Sequence, residues 1–343
     1  MPVIQAPMAG GPSTPQLSAA VCEAGGFGFL AAGYQSPAAL AAALDELRSL
    51  TSAPFGVNLF VPGSDAADRA AIDDYLAELA PDAQRLGADL GRPRFDDDGW
   101  EEKLALLESA PPAVVSFTFG CPPPELLARV RAAGSEAWVT VTSASEADHA
   151  ARAGADALIL QGSEAGGHRG AFTDSGEEEP IGILALIALA RHATEQPLVA
   201  CGGIMDGSAV AAVLVAGAAA AALGTAFMRT PEAGTVAAQR AAMTAPGRTG
   251  LTRAFSGRSA RGIVNRFQAE HASAPSAYPQ IHHATAPLRA AARAAGDATG
   301  FNLWAGQAFA LGRECGAGEL VAALDAELRE ALRGVAGRYA AAP

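Results

Sequence analysis

Ala137-Trp-Val-Thr-Val-Thr142, Ser145-Glu-Ala-Asp-His-Ala-Ala-Arg-Ala153, Gly154 and Ala157-Leu-Ile-Leu-Gln161 read in order as strand, helix, stop and strand. The two outer runs are nearly continuous in apolar residues, which suits strands covered on both faces. The stretch between them has serine at its front and glycine at its back, the usual start and stop of a helix. A helix long enough to cross over makes the two strands parallel.

The same unit recurs in both directions along the chain. Further apolar runs lie at Val3–Ala6, Gly26–Ala31, Phe55–Val61, Val114–Phe119, Leu198–Cys201 and Ala220–Phe227. Helical stretches lie at Pro15–Ala24, Pro37–Leu50, Pro124–Ala133 and Gly182–Ala193, with Gly25 and Gly134 placed as stops. Eight β-then-α repeats predict an α/β fold, a (β/α)8 TIM barrel over residues 1–228. A doubly wound open sheet is the alternative, but the G-x-G-x-x-G turn it would carry after an early strand does not follow Val3–Ala6. Residues 62–112 exceed what one βα connection needs, and are read as a helical part (66–86) and a charged patch (92–103) covering the site. Past Met228 the rhythm stops. Residues 229–300, rich in Arg, Gly, His and Pro, are expected to form a smaller appended domain with a helical fragment at Val236–Met243. Residues 301–343 are expected to return to the barrel as amphipathic helix.

Composition narrows the function. The net charge is −12, Lys103 is the only lysine and no basic cluster occurs, which argues against nucleic acid and anionic membranes as partners. Cys22, Cys121, Cys201 and Cys315 are scattered without a C-x-x-C pair, so no zinc knuckle is expected, and single thiols suit a reducing cytoplasm. The first basic residue is Arg48, so no secretory leader is expected. Gly207–Met228 is uncharged and long enough to span a bilayer, but it is mostly alanine and is broken by Gly217. A buried helix, a turn and a strand explain it better than a membrane span.

Barrels build their sites at the carboxyl ends of the strands. Here those ends carry Gln5–Gly11, Asn58, Gly120-Cys121-Pro122, Gln161–His168, Cys201–Ile204 and Gly224-Thr225. Gly202, Gly203, Gly224 and Thr225 follow the last two runs, where barrels hold a phosphate on backbone N–H groups; tight strand exits are the plainer alternative. Asn58 sits in an apolar run, so its amide meets either a loop backbone or a polar cofactor. Gln161 is read the same way. Glu164 could orient its loop by accepting backbone N–H bonds. His168 can exchange a proton near neutrality and stands among glycines that let a ligand approach, so it is the catalytic candidate; a solvated loop residue is the alternative, as is a surface charge for Arg169. Cys121 and Cys201 read as inert thiols. His271 and His282-His283 lack a carboxylate arrangement that signals metal and are left as structural or surface residues, so no metal site is expected.

Several ordered motifs resemble one family over nearly the whole chain. They are Pro2-Val-Ile-Gln-Ala-Pro-Met-Ala-Gly-Gly11, Gly25-Gly-Phe-Gly-Phe-Leu-Ala-Ala-Gly33, Phe55-Gly-Val-Asn-Leu-Phe60, Gln161–Gly170, Cys201-Gly-Gly-Ile204, Leu223-Gly-Thr-Ala-Phe227, Gly257-Arg-Ser-Ala-Arg-Gly-Ile263 and Asn302-Leu-Trp-Ala-Gly-Gln307. The set is similar to the nitronate monooxygenases, formerly 2-nitropropane dioxygenases, and within them to the class I branch. The resemblance implies non-covalent FMN in the barrel, with Asn58 and Gln161 at the flavin, and Met8 beside the ring. Gly166, Gly203, Gly224 and Thr225 would hold the phosphate or line its path, and Ala222 and Leu223 count with them among the cofactor-binding residues. It makes His168 the active-site histidine, either protonated and holding an anion or neutral and removing an α-proton. The implied activity is oxidation of alkyl nitronates, propionate 3-nitronate among them, with O2 as co-substrate; a homo-oligomer is left open. Two positions depart from the pattern. Ala222 stands where relatives often have glutamine, and Ser116-Phe-Thr-Phe119 lacks the second histidine some members carry. FMN-dependent enoyl-acyl-carrier-protein reductases and NAD(P)H:quinone reductases, which share the barrel and the glycine–glycine–histidine loop, give the alternative function. A barrel binding some other phosphorylated metabolite is the alternative outside redox chemistry.

Overall fold

A computed structural model describes residues 1–175 and 179–340, the side chains of residues 339 and 340 excepted. The barrel strands are β1 (Val3–Gln5), β2 (Phe29–Ala31), β3 (Gly56–Phe60), β4 (Val114–Thr118), β5 (Glu136–Val141), β6 (Ala157–Gln161), β8 (Leu198–Cys201) and β9 (Ala220–Leu223); β7 (Gly167–His168) lies outside the barrel. They form one parallel sheet ordered β1-β9-β8-β6-β5-β4-β3-β2. The sheet closes where Ile4 bridges Phe27 in parallel, with Gln5 N–H donating to the Phe27 carbonyl at 2.9 Å and Phe27 N–H to that of Val3 at 3.0 Å. The chain is a (β/α)8 barrel.

The helices between these strands are α1 (Pro15–Glu23), α2 (Pro37–Leu50), α3 (Arg69–Glu78), α4 (Ala80–Leu86), α5 (Trp100–Ser109), α6 (Pro124–Ala133), α7 (Ala144–Ala153), α8 (Ile183–Ala193) and α9 (Gly207–Ala216). Their ends follow local chemistry. Thr14, Ser36, Ser143 and Asp206 accept backbone N–H groups at the fronts of α1, α2, α7 and α9, and Gly134, Gly154 and Gly217 end α6, α7 and α9 in the left-handed region. The helices cover the barrel with a large apolar layer, including Leu40, Leu44, Leu127, Leu186 and Val210. Inside the strands a smaller cluster of Ile4, Phe29, Val114, Ile159, Val199 and Ala222 plugs the bottom.

Residues 66–86 form two helices because Pro81, lacking an N–H, stands in the first turn of α4. The run Ala220–Phe227 is extended only to Leu223. Beyond Gly224, residues Thr225–Arg229 coil into a 3-10 turn that buries Ala226, Phe227 and Met228.

After the barrel come α10 (Ala237–Ala242), β10 (Thr249–Thr252), β11 (Ala260–Ile263), α11 (Arg266–Glu270), α12 (Gln280–Ala294) and α13 (Ala317–Ala340). β11 pairs antiparallel with β10 on one side and with β7 on the other, so the histidine loop of the barrel is an edge of this second sheet. Phe255, Phe267, Ile281 and Leu288 share a core with Ile72, Tyr75 and Leu79 of the segment after β3. Residues 62–112 and 229–300 thus pack together. The helix expected over 301–343 begins only at Ala317. Before it the chain runs irregularly, with Trp304 bridging Gly262 and Gly306 N–H donating to Thr225 Oγ1 at 3.0 Å; α13 then docks on α9 and α1. Among the described residues no helix is long and apolar enough to cross a membrane.

Candidate active site

The strand ends open into a cavity of about 320 Å³. Met8, Asn58, Gln161, Gly166, His168, Gly203, Ala222, Gly224 and Thr225 all line it. Leu223 does not. Its side chain faces the helix layer, and its carbonyl accepts the Ala6 N–H at 2.9 Å, so only its backbone stands near the site. Gly202 and Gly203 take φ +129° and +69°, conformations that suit glycine at this strand exit. At Gly166 a Cβ would come within 2.4 Å of the Ala305 carbonyl carbon, so glycine there lets the 302–307 segment close over the loop.

Gln161 holds the loop. Its Nε2 donates to the His168 carbonyl at 2.9 Å and its Oε1 accepts the Gly170 N–H at 2.8 Å. That amide is committed to positioning the histidine, whatever else its exposed edge meets in the cavity. Arg169 is drawn inward too, with Nη1 donating to the Gly162 carbonyl at 2.8 Å. Glu164 accepts the Ile183 N–H at the front of α8 at 3.0 Å, tying the loop to that helix. Asn58 donates through Nδ2 to Ser116 Oγ at 2.9 Å and Thr118 Oγ1 at 3.0 Å, which leaves Oδ1 to serve as an acceptor.

His168 Nε2 lies 2.8 Å from Ser256 Oγ, and no protein partner for Nδ1 occurs among the described residues. Burial, with the positive fields of Arg258 and Arg289, pushes its pKa down to about 3. His282, read as a structural or surface residue, is not on the outer surface: it lines the cavity, stacks on Tyr34 with ring centres 4.1 Å apart, and is pushed down to about 2, chiefly by burial. A pair of histidines on a helix gives no hint in the sequence of which tertiary neighbour covers it. Ser256, Arg289, Arg293, Asn302 and Trp304, also from beyond the barrel, line the same space. Cys201 lines it as well, its thiol pushed up to about 11 by burial, which makes it a poor nucleophile. His271 is buried elsewhere, its ring nitrogens 2.9 Å from Glu78 Oε1 and 2.8 Å from Asp82 Oδ2. Glu270, Asp82 and His271 put ligand-type atoms within 4.8 Å of one another, but Asp82 is already engaged by Arg266 and Arg85.

Both cavity histidines are neutral in the folded chain near pH 7, whereas unfolded histidine titrates near about 6.5. Below that pH the unfolded state binds more protons. The stability linked to these groups is therefore complete above about pH 6.5 and declines as pH falls toward their folded-state values. Moving from pH 7 to pH 5 is expected to cost up to roughly 2 kcal/mol per histidine. Urea unfolding of the unaltered protein and of His282→Gln at the two pH values checks this. An identical pH difference in the two proteins would mean that His282 takes up its proton as readily in the folded chain as in the unfolded one.

The family model described as Nitronate monooxygenase matches residues 1–327. The chain belongs to the nitronate monooxygenase family. It is 42% identical over 341 residues to a nitronate monooxygenase of Pseudomonas aeruginosa, covering 96% of each chain. It is 40% identical to one of Paraburkholderia phytofirmans, covering 96% of this chain and 93% of that one. A crystal structure of nitroalkane oxidase from Streptomyces ansochromogenes superposes with a TM-score of 0.96 at 52% identity, covering 98% of this chain and 97% of that one. FabK from Thermotoga maritima is more distant, with a TM-score of 0.76, 25% identity and coverage of 98% and 95%. The nitronate monooxygenases are oxidoreductases, and this chain is an enzyme of that class.

Proposed function

We propose that this protein binds FMN at the barrel mouth and oxidises alkyl nitronates with O2. The observation that carries the reading is the charge of the cavity wall. The chain has 36 acidic residues, yet among the described residues no Asp or Glu lines the cavity, whereas Arg289 and Arg293 do. A wall of that kind suits anions, and both FMN and a nitronate are anionic.

The residues present fit the cofactor. Gly203, Gly224 and Thr225 stand together at the exits of β8 and β9, and their N–H groups make no backbone hydrogen bond among the described residues. They would hold the phosphate. Asn58 Oδ1 and the backbone around Met8 would hold the ring against the apolar floor of Ile4, Ile159 and Val199. When bound, FMN supplies the redox chemistry, accepting electrons from the substrate and returning them to O2. The protein's own part is to bind, orient and exclude water. A histidine with a pKa of about 3 is a weak proton acceptor, which favours a substrate that arrives already ionised over a neutral nitroalkane. Neutral His168 can still donate one hydrogen bond to a nitronate oxygen while Ser256 satisfies its other nitrogen. We also place the protein in the cytoplasm, where its four free cysteines would stay reduced.

The name of the Streptomyces structure supports oxidation of neutral nitroalkanes as a second reading. Purified protein, its released flavin identified after denaturation, should be mixed without oxygen with ethyl nitronate, nitroethane and NADH in turn. Rapid bleaching by ethyl nitronate is expected, with nitroethane slow and NADH ineffective. Protein that takes up no FMN, or flavin bleached fastest by NADH, would overturn the proposal.

A further inference from the structure

We infer that Arg289 selects the ionised form of the substrate, its guanidinium being held in the cavity wall without a carboxylate partner to neutralise it. This rests on the reading of the site as one for nitronates. α12 places His282, Thr285, Arg289 and Arg293 at intervals of three or four residues, on one face of the helix. His282, Arg289 and Arg293 line the cavity. Arg289 is only 7% exposed. Its Nε donates to Thr285 Oγ1 at 3.1 Å and its Nη2 to the His282 carbonyl at 2.8 Å. Nη1 has only a 3.5 Å contact with Asn302 Oδ1, so it has hydrogens left to offer. Asn302 Oδ1 is bound more closely by Arg293 Nη2, at 2.7 Å.

The missing partner is what matters. Among the described residues, no carboxylate lies within ion-pair distance of Arg258, Arg289 or Arg293, although ten other arginines are so paired. Thr285 in turn donates to the Phe255 carbonyl at 2.5 Å, so the fork is braced from behind. Burying a guanidinium against carbonyls and hydroxyls leaves its charge uncompensated, which is costly unless a bound anion completes the site. The two cavity histidines do not supply positive charge, since neither is protonated near neutral pH. Arg289 remains charged there, though burial and Arg293 lower its pKa to about 10. Its field reaches His168 and helps keep that ring neutral. The resulting division of labour has a fixed cation to hold the anion and a neutral imidazole to donate one hydrogen bond.

The test compares FMN-loaded wild type, Arg289→Gln and Arg289→Lys. Steady-state kinetics with ethyl nitronate and with nitroethane read selectivity. Calorimetric titration with sodium nitrate, a planar monoanion, reads anion binding without turnover. For Arg289→Gln, KM for ethyl nitronate should rise about ten- to hundredfold with a smaller change in kcat, as loss of a charge-assisted hydrogen bond implies. KM for nitroethane should stay within about twofold, and nitrate affinity should fall by at least about tenfold. Arg289→Lys, which retains the charge and disturbs folding least, should keep the ratio of the two KM values within about threefold of wild type. Equal rises of both KM values in Arg289→Gln, or unchanged nitrate affinity, would overturn the inference while leaving nitronate oxidation intact. Nitrate binding that depends on Arg289 in a wild-type protein that oxidises no nitronate would do the reverse.

Discussion

Truncating His168 to alanine is expected to lower kcat/KM for alkyl nitronates by about two to three orders of magnitude without releasing bound FMN. The substitution removes the imidazole but not the loop. Gln161 grips the backbone, through the His168 carbonyl and the Gly170 N–H, and Arg169 ties the adjoining turn to the Gly162 carbonyl. The pairing of Ala260 with residue 168 in the second sheet is likewise main-chain. What goes is the ring whose Nε2 is engaged by Ser256 and whose Nδ1 has no protein partner among the described residues. A single preorganised donor aimed at developing charge in a water-poor site accounts for a loss of this size. Ser256→Ala should cost less, because the ring would remain but lose the hydrogen bond that anchors its Nε2. Oxygen consumption measures the rates, and the absorbance ratio of flavin to protein measures occupancy. A loss below about tenfold with full flavin content would remove His168 from the reacting centre.

Which parts of this site could be read from residue order follows from where its chemistry sits. The barrel was legible because each strand is a short apolar run and each helix carries its own stops, as with Ser143 and Gly154 at the two ends of α7. Asn58, His168, Gly203 and Gly224 were legible because a barrel places its site at strand ends, so position along the chain already implied position in space. The residues that close the site from above were not. Tyr34, Ser256, His282, Arg289 and Trp304 come together only through tertiary packing, and on α12 the polar positions look like an ordinary solvated face. One signal was present. From His271 to Gly296 the chain contains His282, His283, Arg289 and Arg293 but no acidic residue, in a protein with 36 of them. An acid-free run with cations at helical spacing marks a face kept for an anion. Gln161 shows the opposite limit. Its place beside the site was readable, but the use of its amide to hold the histidine loop depends on a turn that returns Gly170 to within 2.8 Å.

Replacing Lys103, the only lysine, by methionine is expected to destabilise the protein by about 3–5 kcal/mol and to weaken nitronate binding from a distance. Lys103 is 1% exposed, so its charge needs local compensation. Its Nζ lies 2.7 Å from Asp98 Oδ2 and donates to the Ala32 carbonyl at 3.0 Å. The other oxygen of Asp98 accepts the Tyr34 N–H at 2.9 Å. Lysine and aspartate together therefore clamp the turn that follows β2. Both Tyr34 (φ +66°) and Asp98 (φ +60°) adopt left-handed backbone, a conformation that costs non-glycine residues of order 1–3 kcal/mol and persists only where neighbours enforce it. Burial already pushes the Asp98 carboxyl above its usual pKa despite the lysine beside it. Methionine would keep the volume of the lysine stem but leave that carboxylate without its cation. Asp98→Asn combined with Lys103→Met should recover much of the lost stability, because no uncompensated charge is then buried, and a urea double-mutant cycle measures the coupling. Tyr34 carries the effect to the site, since its ring stacks on His282 and its hydroxyl lies 3.2 Å from that of Tyr278. KM for ethyl nitronate should accordingly rise in Lys103→Met, while flavin content should hold, since the proposed phosphate site lies at the β8 and β9 exits, away from this clamp. Strictly additive single-variant losses would show that the pair is not coupled, and an unchanged KM would show that the clamp ends at the backbone of Tyr34.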